Sequence, residues 1–323
     1  MTEIQDATTP YATTPWVVGM DEAGYGPNLG PFVMAGVLAK WKGKGDWVEA
    51  FTDLSRTAKK KQSPKPLVDD SKKAYAKEGL EGLEKTVASF FDTKETLGDW
   101  LKEKSVFGIS DLSQEAWFKP DEQTFHPTID APTLYSTNSL NFIEGGFDSF
   151  DCRFFILPSL PFNEVVEKED NKGAVLSKGM INIFSHFTSN FSQDDSIYGF
   201  VDKHGGKNNY SATLQNILNK GLILAGQEGL SESNYKSFGA DQNWNFKILP
   251  KADVKYPMVG LASMLAKWMR ERLMKQFNSY WAEQVPGIVP TAGYPGDAPR
   301  FYALIKDKAA ALGLTKEKVW RSR

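Results

Sequence analysis

Val17-Val18-Gly19-Met20-Asp21-Glu22-Ala23-Gly24-Tyr25-Gly26-Pro27 is where the fold can be read. A short apolar run, Val17 to Met20, ends in two adjacent acids, and glycine and proline then punctuate a turn. A second apolar run, Phe32 to Ala39, follows at once, so the pair reads as a strand, a tight turn and a second strand. Two neighbouring acids at a strand end are, alone, more often an ordinary polar terminus than a site. Recurrence changes the weighting. Asp202 also closes an apolar run, Ile197 to Val201, and is followed by Gly205-Gly206, while Asp253 stands just ahead of a long helical stripe. Functional groups of open sheets collect at strand ends and helix N-termini.

Working outward, Phe154 to Leu157 and Asn245 to Leu249 read as further strands. Leu176, Met180, Ile183, Phe184 and Phe187 make one apolar helix face. Met258, Leu261, Leu265, Trp268, Met269 and Leu273 form the clearest stripe, and Pro257 sits where a first-turn proline is tolerated. Asp70-Ser71 leads into a helix over about Ala74 to Phe91, and a helical piece is expected from Tyr210 to Leu222. Residues 97–152 show neither period and contain Pro120, Pro127, Pro132 and Gly145-Gly146, which reads as an insertion packed on the main fold. Residues 1–14 are polar and threonine-rich and read as a flexible tail. The expectation is an α/β chain, a central mixed sheet flanked by helices, forming a single domain over 15–323 with an insertion at about 97–152.

With 41% hydrophobic and 13% aromatic residues the chain can bury a sizeable core, which excludes a disordered protein. A single cysteine, Cys152, excludes an internal disulfide framework and a multi-cysteine zinc site. No signal peptide or membrane span is visible, so a reducing, cytoplasmic setting is expected. The net charge of −2 does not favour nucleic acid, but phosphate contact needs only a local basic surface. Lys59, Lys60, Lys61 and Lys65 form one such run, and Lys316, Lys318, Arg321 and Arg323 another; solvated faces are the plainer reading of both. His126 and His186 lack partners at metal-ligand spacing, and no Walker loop, dinucleotide fingerprint or serine elbow is present.

Four hard oxygen donors, Asp21, Glu22, Asp202 and Asp253, suit Mg²⁺ or Mn²⁺ rather than zinc. Two such ions about 3.5–4 Å apart clamp the attacking and leaving oxygens of an in-line phosphoryl displacement. Carboxylates that converge without a cation repel and raise one another's pKa. Whether these four converge is a question for the fold.

Gly19 to Pro27, followed by Gly30-Pro31, resembles the opening motif of the type 2 ribonucleases H (ribonuclease HII). Asp70-Ser71-Lys72-Lys73 resembles that family's second motif, and Lys251 to Pro257 running into Ala262-Ser263-Met264-Leu265-Ala266-Lys267 and Arg270-Glu271-Arg272 resembles its third block. Gly293-Tyr294-Pro295 resembles its C-terminal tyrosine motif. Four weak signals in the right order make a strong one. The resemblance implies a ribonuclease H-like fold with Asp21, Glu22, Asp202 and Asp253 as metal-binding carboxylates on a pair of Mg²⁺ or Mn²⁺ ions. It implies that Ser71 and Lys72 touch backbone phosphate, that Tyr294 stacks on a sugar of the DNA-containing strand, and that the Gly24–Gly26 turn offers N–H groups to a ribose 2′-OH.

Three features depart from the family pattern. Tyr25 stands where arginine is usual, which exchanges a forked cation for a neutral ring with one hydroxyl. Lys203-His204-Gly205-Gly206-Lys207 follows Asp202 where a glycine is expected; Lys203 could touch phosphate, the glycine pair could form an anion nest, and His204 could move a proton, although a solvated loop histidine is commoner. Asp241 is the fallback for the third carboxylate. The stretch from Asp202 to Asp253 is also longer than the family pattern. The expected activity is metal-dependent hydrolysis of the RNA strand of an RNA–DNA hybrid, with no membrane association and no obligate protein partner. Its rivals are a nuclease or phosphotransferase of the same fold acting on DNA or structured RNA, and a non-catalytic nucleic-acid-binding protein on this scaffold.

Overall fold

A computed structural model describes residues 15–60, 63–92 and 94–322; the expected tail at 1–14, with Lys61 and Arg323 of the two basic runs, lies outside the described residues. In chain order the elements are β1 (Trp16–Ala23), β2 (Phe32–Trp41), α1 (Trp47–Leu54), α2 (Ser71–Phe90), α3 (Leu97–Lys104), β3 (Ser105–Phe107), α4 (Ile109–Leu112), α5 (Ala131–Glu144), β4 (Phe147–Leu157), α6 (Ser159–Glu169) and α7 (Gly173–Phe187). They continue with β5 (Ser196–Asp202), α8 (Ser211–Gln215), β6 (Leu222–Glu228), β7 (Ser233–Phe238), β8 (Asn243–Leu249), α9 (Ala252–Lys255), α10 (Pro257–Gln284), α11 (Ala298–Ala311) and α12 (Lys316–Val319).

Among the described residues these strands form one eight-stranded mixed sheet, in the order β3-β4-β2-β1-β5-β8-β7-β6. β2 runs antiparallel to both β1 and β4, whereas β5 runs parallel to β1 and to β8. Side chains alternate across the pleat, and that alternation divides the core. Val33, Ala35, Val37 and Ala39 of β2 pack with Leu261, Leu265 and Trp268 of α10 and with Leu83 and Val87 of α2. Phe32, Met34 and Leu38 of the same strand pack with Leu176, Met180 and Ile183 of α7 on the opposite face. The expected α/β sheet with helices on both faces is what the chain builds. No helix among the described residues is long and apolar enough to cross a membrane.

Two glycines set how closely the long helix meets the sheet. A Cβ on Gly19 would stand 2.2 Å from the carbonyl carbon of Met258, so α10 begins in backbone contact with β1. Gly24 adopts φ +86°, a conformation open to glycine, and the Arg270 side chain occupies the space a Cβ would need.

Two expected segments differ from the sequence reading. Residues 97–152 do not lie on the main fold as a separate piece: they supply edge strand β3, the first half of β4 and core aromatics such as Trp100 and Phe142. The alternation of β4 is broken because its pairing with β2 slips between Ala39 and Lys40, where Ser149 is left over with φ +51°. The helix expected from Tyr210 to Leu222 spans only α8. Gly221, at φ +87°, turns the chain, and the Gln215 side chain donates to the Gly221 carbonyl and accepts from Ile223 N–H, which starts β6 instead.

Candidate active site

β1 and β5 are parallel and paired as far as Met20 opposite Val201, so Asp21 and Asp202 are the next residues on neighbouring strands. Adjacent strands lie about 4.8 Å apart, which places the two acids side by side at one sheet end. Asp202 is also paired with Leu249 at the end of β8. From there the chain turns through Lys251, at φ +59°, into the short helix α9. Asp202 Oδ1 accepts from the Ala252 N–H at 2.8 Å, and this bond draws the first turn of α9, with Asp253, against the strand ends. Strand pairing and one capping carboxylate therefore bring acids from distant sequence to a common edge.

Their electrostatics show that they feel one another. Asp21 is buried, and burial first, then the charges of Glu22 and Asp202, push its carboxyl well above the ordinary range; the Ser263 hydroxyl and the Glu22 N–H, 2.7 Å from Oδ1, act against that shift. Burial and then Asp202 push Glu22 up to about 7, with Lys72 opposing. Asp202 is raised by burial and by Asp253, against the N–H groups it accepts from. Asp253 is raised by burial and by Asp70. The acids thus form a continuous field from Asp21 through Glu22 and Asp202 to Asp253 and Asp70. Among the described residues, however, no three Asp, Glu, His or Cys side chains converge closely enough to hold one ion. Like charges hold apart, and the Asp202 carboxylate is turned to the N–H groups of α9. Their chemistry, hard oxygens carrying uncompensated negative charge, fits a divalent cation, while their spacing is wider than ligation needs.

The other expected residues are distributed around this edge. Ser71 is buried at the start of α2, and its hydroxyl lies 3.0 Å from that of Ser263. Asp70 caps that helix through the N–H groups of Lys72 and Lys73, leaving Lys72 exposed with its charge bearing on Glu22. Tyr25 packs edge-on against Phe32, and the Lys172 ammonium stands 4.7 Å from the centre of its ring. Tyr294 is half exposed; a Cβ on Gly26 would stand 3.9 Å from its ring, so the C-terminal motif flanks the opening turn. Gly293 secures that contact, its carbonyl accepting from Asn28 N–H at 2.8 Å.

Lys203 turns instead to the β6–β7 connection, where its ammonium donates to the Gly229 carbonyl. His204 is not a solvated loop histidine. It is buried against Tyr210, and burial, reinforced by Lys207, pulls its ring down to about 3, so it stays neutral at ordinary pH. Asp241 lies just before β8, at the end paired with Ser196, and so at the opposite sheet edge from Asp202.

Three contributors went unassigned in the sequence. Ser263 bonds Asp21. Arg270 is buried under the opening turn and donates to the carbonyls of Pro31, Leu29 and Ala292. Arg321, fully buried, donates to the Pro27 carbonyl at 2.5 Å, and its own N–H bonds the Asn28 carbonyl. Arg321 sits in the C-terminal basic run that reads as a solvated face, and Arg270 lies in the third motif with no periodicity that marks it as buried.

No protein-family profile matches the sequence, and no curated protein matches it significantly. Among solved structures, the chain is similar to RNase HII from Archaeoglobus fulgidus, determined in complex with PCNA: 16% identity, 95% of this chain and 94% of that one, TM-score 0.42. It is similar to ribonuclease H2 from Pyrococcus horikoshii OT3, with 17% identity, 94% and 92% coverage and a TM-score of 0.40. Bst-RNase HIII in complex with Mn²⁺ gives 12% identity, 95% and 66% coverage and a TM-score of 0.39. At these scores none of the three says what this chain does. By its ordered motifs and its central mixed sheet, the chain resembles the type 2 ribonucleases H.

Proposed function

We propose that the protein is a metal-dependent endoribonuclease that hydrolyses the RNA strand of RNA–DNA hybrids, acting in the cytoplasm. The observation that carries this reading is the field shared by Asp21, Glu22, Asp202 and Asp253 at one sheet end, where Glu22 and Asp202 raise Asp21, Asp202 raises Glu22 and Asp253 raises Asp202. These four would hold Mg²⁺ or Mn²⁺, which would supply a water activated for attack and charge stabilisation at the leaving 3′-oxygen. The chain's own residues do the rest. Ser263 and the Glu22 N–H orient the Asp21 carboxyl. Lys72, exposed beside Glu22, meets a backbone phosphate. The Gly24–Gly26 turn, held from beneath by Arg270, presents backbone N–H groups to a ribose 2′-OH. The half-exposed Tyr294 ring beside that turn gives a sugar of the DNA-containing strand a flat surface.

Cleavage of labelled duplexes with Mg²⁺ or Mn²⁺ tests the proposal: hybrid, RNA, DNA, and DNA carrying one ribonucleotide. The hybrid should be cut, and Asp21→Asn should abolish turnover while leaving the melting temperature nearly unchanged. Wild-type cleavage by Asp21→Asn would exclude the mechanism. Cutting of DNA or structured RNA in preference to hybrid would favour a related nuclease, and absence of Mn²⁺ binding by calorimetry would favour a non-catalytic scaffold.

A further inference from the structure

Residues 24–26 form the accessible lip of the opening turn, and residues 27–30 behind them are buried and form its floor. Residues 319–322 lie along this floor like a short added strand. Trp320 bridges antiparallel to Leu29. Arg321, 293 positions from Asn28, donates its N–H to the Asn28 carbonyl at 2.7 Å, and the Asn28 side-chain amide donates to the Arg321 carbonyl at 3.1 Å. The Arg321 guanidinium donates to the Pro27 carbonyl at 2.5 Å. On its other side the segment is fastened to α6. Buried Asn163 donates to the carbonyls of Glu317 and Trp320 and accepts from the Ser322 N–H at 2.7 Å, and buried Ser159 donates to the Val319 carbonyl at 3.0 Å.

Packing alone does not account for Arg321. Its side chain is fully buried, and its guanidinium lies 4.7 Å from the centre of the Phe162 ring. Burial first, then the charge of Arg270, press its pKa down against Tyr294, and among the described residues no carboxylate pairs with it. Its Nε and Nη1 find no hydrogen-bond partner among the described residues either. Taking a charge out of water opposes folding, and an apolar side chain would fill the same space without that penalty. What only the guanidinium supplies is a rigid fork of donors. Together Arg321 and Arg270 take the carbonyls of Pro27, Leu29 and Pro31 from beneath. Asn28 and Leu29 in turn donate to the Gly293 carbonyl, at 2.8 and 3.3 Å, beside Tyr294. The floor thus ties the lip to Tyr294, and Arg321 fixes the floor.

We propose that Arg321 is a positioning residue for the proposed cleavage: it clasps residues 27–29 so that the lip at 24–26 and the Tyr294 ring keep the spacing a bound strand requires. The proposal rests on the proposed function in taking that strand to be the substrate; the clasp itself does not.

Two variants of the full chain test it: Arg321→Met, unbranched and uncharged, and Asn163→Ala, which unfastens residues 319–322 from α6 without touching the turn. Amide hydrogen exchange at Asn28 and Leu29 reads the floor directly. Exchange there should quicken about tenfold or more in Arg321→Met, and by less in Asn163→Ala, while the amides of β5 and β8 keep wild-type rates. On hybrid with Mg²⁺, where each variant is fully folded, kcat/KM of Arg321→Met should fall about ten- to a hundredfold, as a misplacement of about 1 Å allows. Asn163→Ala should fall in the same direction, and it alone decides if Arg321→Met does not fold. Wild-type exchange at Asn28 and Leu29 overturns the proposal. Acceleration spread evenly over the sheet also overturns it, since Arg321 would then support the whole fold, and so does quickened exchange with kcat/KM unchanged. Quickened exchange at the floor in a protein whose wild type never cuts hybrid removes the proposed function and spares the clasp.

Discussion

The hydroxyl of Ser263, on the second turn of α10, lies 3.0 Å from that of Ser71 at the first residue of α2, 192 positions away in sequence. Ser263 also bonds the Asp21 carboxyl. One buried side chain therefore joins the second and third motifs to the first, and Asp21 is oriented by α10 as well as by its own strand. A hydrogen bond to a charged group contributes about 1.5–3 kcal/mol. Ser263→Ala should lower kcat/KM on hybrid by about ten- to a hundredfold, with weaker Mn²⁺ binding by calorimetry. Cleavage at the wild-type rate across a Mn²⁺ titration would show that Asp21 needs no such partner.

What the sequence made legible is what period and position encode. β1, β2, β5 and the stripe of α10 lie where apolar spacing places them, and Asp202 ends its strand as the residue order indicates, whereas β1 runs on through Asp21 and Glu22 to Ala23. The rest depends on contacts between distant elements. β4 is obscured by one surplus residue, Ser149, which breaks alternation. Arg321 looks like a surface cation, and Arg270 has no stated role, until the opening turn folds over them and offers carbonyl groups. His204 looks solvated because nothing local announces that Tyr210 will cover it. The Lys172–Tyr25 contact joins two elements that no sequence spacing connects.

Gly19 tests how tightly the site depends on the approach of α10 to β1. Because a Cβ there would stand 2.2 Å from Met258 backbone, Gly19→Ala must push the helix from the strand. Overpacking of this kind costs about 1–3 kcal/mol. Since α10 carries Ser263, activity should fall by more than the lost folded fraction explains. Urea melts paired with cleavage assays under fully folded conditions measure both effects. A variant with wild-type stability would mean that the helix can retreat without loss.

Arg272 and Glu84 make a buried ion pair between α10 and α2, 2.9 Å apart, with side chains 4% and 2% exposed. Arg272 also reaches Glu122 at 2.8 Å, and the second Glu84 oxygen accepts from His126 N–H. Removing one partner strands a buried charge, at a cost of about 3–5 kcal/mol. Arg272→Ala should show that loss in denaturant unfolding, and Glu84→Leu/Arg272→Met should recover most of it. If the double replacement proved as unstable as the single one, packing rather than an unpaired carboxylate would be the cause.

Glu115, in the turn after α4 and remote from the acid cluster, is pushed by burial from 4.5 up to about 7, although the Trp117 indole N–H and then Lys318 act in the opposite direction. A carboxyl whose folded pKa is raised takes up its proton more readily in the folded state. Its contribution to stability is therefore complete below about 4.5 and is lost as pH rises through about 7. The shift corresponds to at most about 3 kcal/mol, less what solvent screens at a partly buried group. Glutamine keeps an acceptor for the indole but cannot ionise. Glu115→Gln should melt with the wild type near the acid end of that window and above it once the pH passes the alkaline end. Coincident melting curves on both sides would place the charged form of Glu115 in water.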